Sequence, residues 1–172
     1  SRIVTVNLRA DSGPELNESF TLTLTAPSIN TKLGTASASG IVLNDDSVLF
    51  IAPLSASKPE GTGTTTAFTF TVTRAGDTSL AGSADWSAAG LAGSGTLPAD
   101  AADFATAALP SGTVTFAPGA TSQTITVNVA GDVVGEANER FRVTLANPSA
   151  GSVIATTTAD AVIFNDDTSL GV

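Results

Sequence analysis

The 172-residue chain has no cysteine, histidine, methionine or tyrosine, one tryptophan, and only seven lysines and arginines in all. Without cysteine, a disulfide framework and a thiolate metal site are both excluded. Without histidine, the commonest zinc ligand and the commonest general base are missing. Positive charge is scarce, with 7 basic residues against 16 carboxylates, a net charge of −9 and a pI near 4.1. Nothing is available to neutralise a phosphate backbone, so nucleic acid is not an expected partner. No apolar run approaches the roughly 18 residues of a spanning helix, so no membrane insertion is expected. Neither an initiator methionine nor a signal-peptide pattern is present, and the chain reads as a segment of something longer. Only 13% of residues are charged, yet 42% are hydrophobic. The polar surface therefore rests on Thr, Ser, Asn and Gly, a composition that suits exposed strands better than helices.

The chain repeats itself. Residues 1–46 lie on residues 122–167 without a gap, at an offset of 121, and roughly 18 of the 46 positions are identical. "TVNLRADSGPELNESFTLTLTAPS" falls on "TVNVAGDVVGEANERFRVTLANPS" and "IVLNDD" on "VIFNDD". The organisation expected is the C-terminal half of a unit over 1–46, a complete unit over 47–167, and the start of a linker or further unit at 168–172. This is a tandem array with a period of about 120 residues.

Apolar–polar alternation predicts strands throughout. Phe68, Phe70 and Val72 share one face of "AFTFTVTR"; Ile125, Val127 and Val129, and Phe141, Val143 and Leu145, do the same in two later runs. Further strands are expected around 48–55, 81–88, 112–117 and 157–164, and in the first unit near 1–9, 18–25 and 36–43. The fold class is all-β: an immunoglobulin-like antiparallel β-sandwich of about seven strands, in tandem. The Gly-, Ala- and Pro-rich stretch 88–111 reads as a surface loop. The first unit would leave an apolar face uncovered.

Acidic residues are concentrated rather than scattered. Asp132, Glu136 and Glu139 lie between two strands, and Asp166 and Asp167 follow the last one. Asp11, Glu15, Glu18, Asp45 and Asp46 repeat the set, so ten of the 16 carboxylates occupy five repeat-equivalent positions. An up-and-down ordering of the last three strands brings each set to one end. Five carboxylates there repel unless a cation neutralises them. An oxygen-only donor set selects a hard ion, and Ca²⁺, with six to eight ligands in adaptable geometry, suits loops better than Mg²⁺. Asp and Asn as turn formers account for NDD alone but not for two glutamates in the matching loop. Asp77 in "RAGDTS" reads as a turn residue, and Asp100 is set aside as a loop residue.

These elements resemble a Calx-beta domain. "KPEGTGTTTAFTFTVTR", "SADWSAAG", "ADFATAALPSGTVTFAPGATSQTITVNV", "GDVVGEANERFRVTLANP" and "VIFNDD" follow the family pattern in order through 48–167, and the first unit matches its last third. The resemblance implies a β-sandwich that binds Ca²⁺ at the end facing the next domain. It adds Glu60 and Asp103 to the ligands Asp132, Glu136, Glu139, Asp166 and Asp167, with Asn165 in the terminal cluster. Gly131, Val133, Asn138 and Asn165 stand where calcium-sensing members are acidic, which implies fewer ions or weaker sites, with dissociation constants of roughly 10⁻⁴–10⁻³ M.

The function expected is a calcium-binding structural repeat of a large bacterial extracellular or cell-surface protein, an adhesin, surface layer or filament. Its partners would be neighbouring repeats of the same chain, tied together by Ca²⁺ at the junction. The alternative is a self-assembling fibre subunit whose incomplete first unit is completed by an identical chain. A calcium sensor and a two-carboxylate glycosidase fit less well. The site is less acidic than a sensor's, and one tryptophan with no tyrosine offers little to a sugar. No enzymatic activity is expected.

Overall fold

The alternation becomes twelve strands in the computed structural model, which describes residues 2–11, 13–93 and 95–168. Apart from Thr168, the expected linker at 168–172 lies outside the described residues. In chain order the strands are β1 (Glu18–Thr23), β2 (Ser37–Val42), β3 (Ser47–Ser55), β4 (Ser57–Pro59), β5 (Thr65–Gly76) and β6 (Gly82–Gly90). They continue as β7 (Leu97–Pro98), β8 (Ser111–Phe116), β9 (Ser122–Ala130), β10 (Glu139–Ala146), β11 (Ser152–Thr156) and β12 (Thr158–Phe164). All seven strands expected after residue 47 form; β4, β7 and β11 are additional.

From Ser47 onward the strands make two facing sheets. One has the order β11-β3-β5-β9; the other runs β4-β12-β10-β6-β8, with β7 added to β10. The first and last strands each change sheets. The chain breaks at the buried Ala56 between β3 and β4, and at Thr157 between β11 and β12, and both halves of each are paired in parallel. Between the sheets Phe141 meets Phe68, Phe70 and Phe104 at ring-centroid distances of 5.7, 6.0 and 5.4 Å. These tilted and edge-on contacts are the arrangement that aromatic quadrupoles favour.

The stretch 88–111 is not a plain surface loop. Ala99 and Phe104 are buried, and the amides of Leu91 and Ala99 donate to the Arg140 carbonyl while Ala105 donates to that of Asn128. The segment thus closes over the ends of β9 and β10 and delivers Asp103 there.

The first unit forms only in part. β1 and β2 pair from Glu18↔Val42 to Thr23↔Ser37, which is the Glu139↔Ile163 to Thr144↔Thr158 register of β10 and β12 shifted by 121 residues. Backbone turns repeat too: Ala26 and Asn147 have φ of 50° and 47°, and Asn30 and Gly151 have 61° and 71°. The strand expected at 1–9 is absent among residues 2–9. Its counterpart β9 is held by nine ladder pairs to β5, and the counterpart of β5 would fall before residue 1. Alternation without a neighbouring strand leaves the backbone groups unpaired. The apolar face is uncovered as expected: Phe20 and Leu22 are each 37% exposed, whereas Phe141 and Val143 are at 0%.

Candidate metal centre

Four structural pieces meet at one end of the complete unit: the turn after β4, the segment before β8, the β9–β10 loop and the exit of β12. The last three strands are not a simple meander, because β9 belongs to the opposite sheet from β10 and β12. The β9–β10 loop crosses between sheets, and antiparallel pairing of β10 with β12 returns the chain to the same end.

Two groups of carboxylates result. Glu60, Asp166 and Asp167 offer oxygens within 4.8 Å of one another, and so do Asp103, Glu136 and Glu139. Oxygens on opposite sides of one Ca²⁺ stand roughly 4.6–5.2 Å apart, so each group fits within a single coordination sphere. Asp132 is in neither group; its Oδ1 accepts from the Val134 amide at 2.6 Å. Its charge nonetheless acts on Glu60 and Glu136.

The groups are strained electrostatically. Glu60 is 4% exposed. Burial, followed by repulsion from Glu136, Asp132, Asp166 and Asp103, pushes its carboxyl from 4.5 up to about 7. Burial, then a hydrogen bond to Asp103 that needs the proton, and then repulsion from Asp103, Glu136 and Asp100 raise Glu139 to about 8. Glu136 is raised by burial and by Asp132, Asp103 and Asp100. Asp100, set aside in the sequence, is therefore close enough to matter. Its own amide donates to Asp103 at 2.5 Å, fixing that carboxylate.

Partners among the described residues satisfy these acids only in part. Gly61 N donates to Asp166 at 3.1 Å and Thr62 Oγ1 to Asp167 Oδ1 at 3.5 Å, but Asp167 Oδ2 is buried and has no hydrogen-bond partner among the described residues. An orphaned buried carboxylate oxygen is costly unless something pairs with it. The donor set is all oxygen, so the residues fit a hard divalent cation of the calcium type.

The sequence reading missed the role of Gly131. A Cβ there would lie 1.9 Å from the Gly61 carbonyl oxygen and 2.7 Å from that of Thr64, to which Gly131 N donates at 2.8 Å. The acid suggested by the resemblance is therefore excluded sterically, and the close passage sets the β9–β10 loop beside Glu60. Gly131→Ala should force the two backbones apart, costing about 1–3 kcal/mol and weakening cation binding; urea unfolding with and without calcium checks both.

In the first unit Asp11, Glu15, Glu18, Asp45 and Asp46 line one cavity of about 260 Å³. No three-carboxylate group forms there among the described residues. The positions equivalent to Glu60 and Asp103 would precede residue 1, so two of the acids that complete the groups are not in the chain. Asp46 is buried, and its carboxyl is raised by burial and by Asp45 and Asp11.

The Calx-beta domain family model matches residues 1–47 and 55–167. The chain belongs to the Calx-beta family. No curated protein matches it. Among solved structures it is similar to the apo form of the Calx CBD1 domain, with 28% identity and a TM-score of 0.55 over 71% of this chain and 99% of that one. It is also similar to CBD12 from CALX1.2, with 28% identity, TM-score 0.54 and 70% of this chain covered, and to the calcium binding domain CBD12 of CALX1.1, with 26%, 0.55 and 69%. Each of those matches spans 46% of the solved chain, about half its length.

Proposed function

We propose that the chain is a calcium-binding structural repeat of an extracellular surface protein, in which Ca²⁺ stiffens the joint between consecutive units. The observation that carries the reading is the grouping of a buried Asp167 oxygen, without a partner among the described residues, with five further carboxylates in two compact groups. Glu60, Asp166 and Asp167 would hold one ion, and Asp103, Glu136 and Glu139 a second, with Asp132 adding charge nearby. The similarity to the calcium binding domain CBD12 of CALX1.1 supports the choice of ion.

The joint supports the structural role. β3 begins at Ser47, directly after the first NDD, with no intervening linker. Asp77 N donates to the Asp46 carbonyl at 2.9 Å, Ser47 N donates to that of Gly151 at 2.9 Å, and Ser47 and Ser152 share a hydrogen bond between hydroxyls. Gly76, at φ 86°, permits this docking; a Cβ there would sit 2.7 Å from the Asp46 oxygen. The acid-bearing end of one unit is thereby built into the base of the next. Asp77 also serves as the expected turn residue, capping Ser79.

The uncovered face of the first unit favours a second reading, the fibre subunit completed by a neighbouring copy. That reading expects filaments from the purified protein, whereas a segment of a tandem array stays monomeric or aggregates through its open half.

The test is thermal unfolding of the full chain in EDTA and in millimolar calcium, beside Glu136→Ala/Asp166→Ala. One site filled at 100 times its dissociation constant adds about 2.7 kcal/mol, a rise of several degrees. The gain should vanish in the double variant. An equal melt with and without calcium in the wild type would overturn the reading.

A further inference from the structure

The two NDD motifs place an asparagine where the family resemblance implies an acid, and in both units that asparagine does the same thing. Asn165 Oδ1 accepts from the Glu136 amide at 3.1 Å, and its Nδ2 donates to the Asp167 carbonyl at 2.7 Å. The Asn165 amide in turn donates to Asn138 Oδ1 at 3.1 Å. One repeat earlier, Asn44 Oδ1 accepts from the Glu15 amide at 2.9 Å, Asn44 Nδ2 donates to the Asp46 carbonyl at 3.0 Å, and the Asn44 amide donates to Asn17 Oδ1 at 2.9 Å. Three bonds with the same atoms thus recur at an offset of 121 residues. They recur although the first unit lacks β5 and β9 counterparts as paired strands, so the rest of the sandwich is not what creates them.

The chemistry of the side chain explains the choice. Asn165 must accept from one backbone group and donate to another at once, which an amide can do and an ionised carboxylate cannot. The bonds carry no net charge, so they neither add to the repulsion among the acids nor require an ion to form. They join the β9–β10 loop, which has no ladder of its own between residues 131 and 138, to the exit of β12. That connection holds Glu136 beside Asp166 and Asp167, where the β10–β12 ladder already places Glu139 opposite Ile163.

We infer that Asn138 and Asn165, and Asn17 and Asn44 in the first unit, are positioning residues: a neutral latch that holds the acidic loop in its binding arrangement before a cation arrives. The inference rests on the cation reading of the site for its purpose, but the latch itself does not need the ion. Binding to such a loop orders little, so the empty and loaded ends differ less than they would in a loop held only by its ligands.

Amide hydrogen exchange of the full chain in EDTA, combined with calcium titration by calorimetry, tests it in wild type, Asn165→Ala, Asn165→Asp and Asn44→Ala. The wild type should protect the Glu136 amide in EDTA relative to neighbouring loop amides. Each lost bond should reduce local protection about three- to tenfold, with β5, β9 and β10 amides unchanged as a control for the global fold. Asn165→Ala should also weaken calcium binding. Asn165→Asp keeps an acceptor for the Glu136 amide and loses only the donation to the Asp167 carbonyl. It should therefore retain protection at Glu136 in EDTA that Asn165→Ala loses, and bind calcium more tightly than Asn165→Ala through its added charge, a split that a purely structural role would not produce. Asn44→Ala should remove protection at Glu15 alone, which keeps the test valid if Asn165 variants misfold. Loop amides that gain protection only with calcium, or an Asn165→Ala variant unchanged in both readouts, would overturn the latch. Protection lost in the variants of a wild type that binds no calcium would leave the latch standing and remove the cation reading.

Discussion

Phe141→Ala should cost the complete unit about 3–5 kcal/mol, whereas Phe20→Ala, the equivalent change one repeat earlier, should cost under about 1 kcal/mol. Phe141 is at 0% exposure and touches three other rings, so its removal opens a cavity at the centre of the sandwich. It also lies two residues from Glu139, so the carboxylates on the β10 end lose their support with it. Phe20 keeps the same backbone register but stands 37% exposed, where truncation leaves no void. Denaturant unfolding of the full chain followed by fluorescence of Trp86, which packs on the core of the complete unit, reports the first change. The second is read by exchange protection in β1 and β2. Equal, large losses at the two positions would mean that the first unit is covered in solution.

In EDTA, stability should fall as pH rises from about 4.5 to about 8, and Glu60→Gln should flatten much of that fall. The sign follows from linkage. Glu60 ionises at about 7 in the folded protein and Glu139 at about 8, against 4.5 for an ordinary glutamate. Between these values the folded state holds protons that the unfolded state has released, so raising the pH favours unfolding. The stabilisation is fully present below 4.5 and is lost as pH passes through the folded values. For the buried Glu60 alone a shift of this size corresponds to on the order of 3 kcal/mol. Calcium should reverse the slope, since it takes the place of the protons and displaces them on binding. A melting temperature in EDTA that is level or rising over this interval would show that the acids are not crowded as described. Glu60→Gln should melt above the wild type at pH 8 in EDTA, and below it once calcium is saturating.

The sandwich was legible because its inward positions alternate without interruption. Phe68, Phe70 and Val72 on β5, and Phe141, Val143 and Leu145 on β10, are all nearly or fully buried. Where alternation misled, at residues 2–9, the pattern was right but its ladder partner was not in the chain. Periodicity describes a face, not what covers it. The long segment 88–111 hid Phe104 and Ala99 because their burial comes from amides docking on strand carbonyls, which leaves no periodic trace. At the site, the two-fold recurrence of Asp132, Glu136, Glu139, Asp166 and Asp167 carried the acids. Glu60 and Asp103 have no second copy and came only from the resemblance. The separation into two groups depends on which sheet each strand enters, and spacing does not encode that. Asn138 and Asn165 did leave a signal: they recur as Asn17 and Asn44, yet their work is done by backbone bonds between distant segments.

The sheet-switching ends of the sandwich also settle how it would carry a load. The strand that enters at Ser47 and the strand that leaves at Phe164 run parallel, β3 beside β11 and β4 beside β12. Tension applied between the two ends of the unit drags these neighbours in opposite directions along their length. The ladder bonds of both patches are then strained in shear and must fail together rather than peel one at a time. Because β3 follows Asp46 without a linker, there is also no slack to extend before that shear begins. A chain built on this plan transmits a pull almost without give until a whole unit yields.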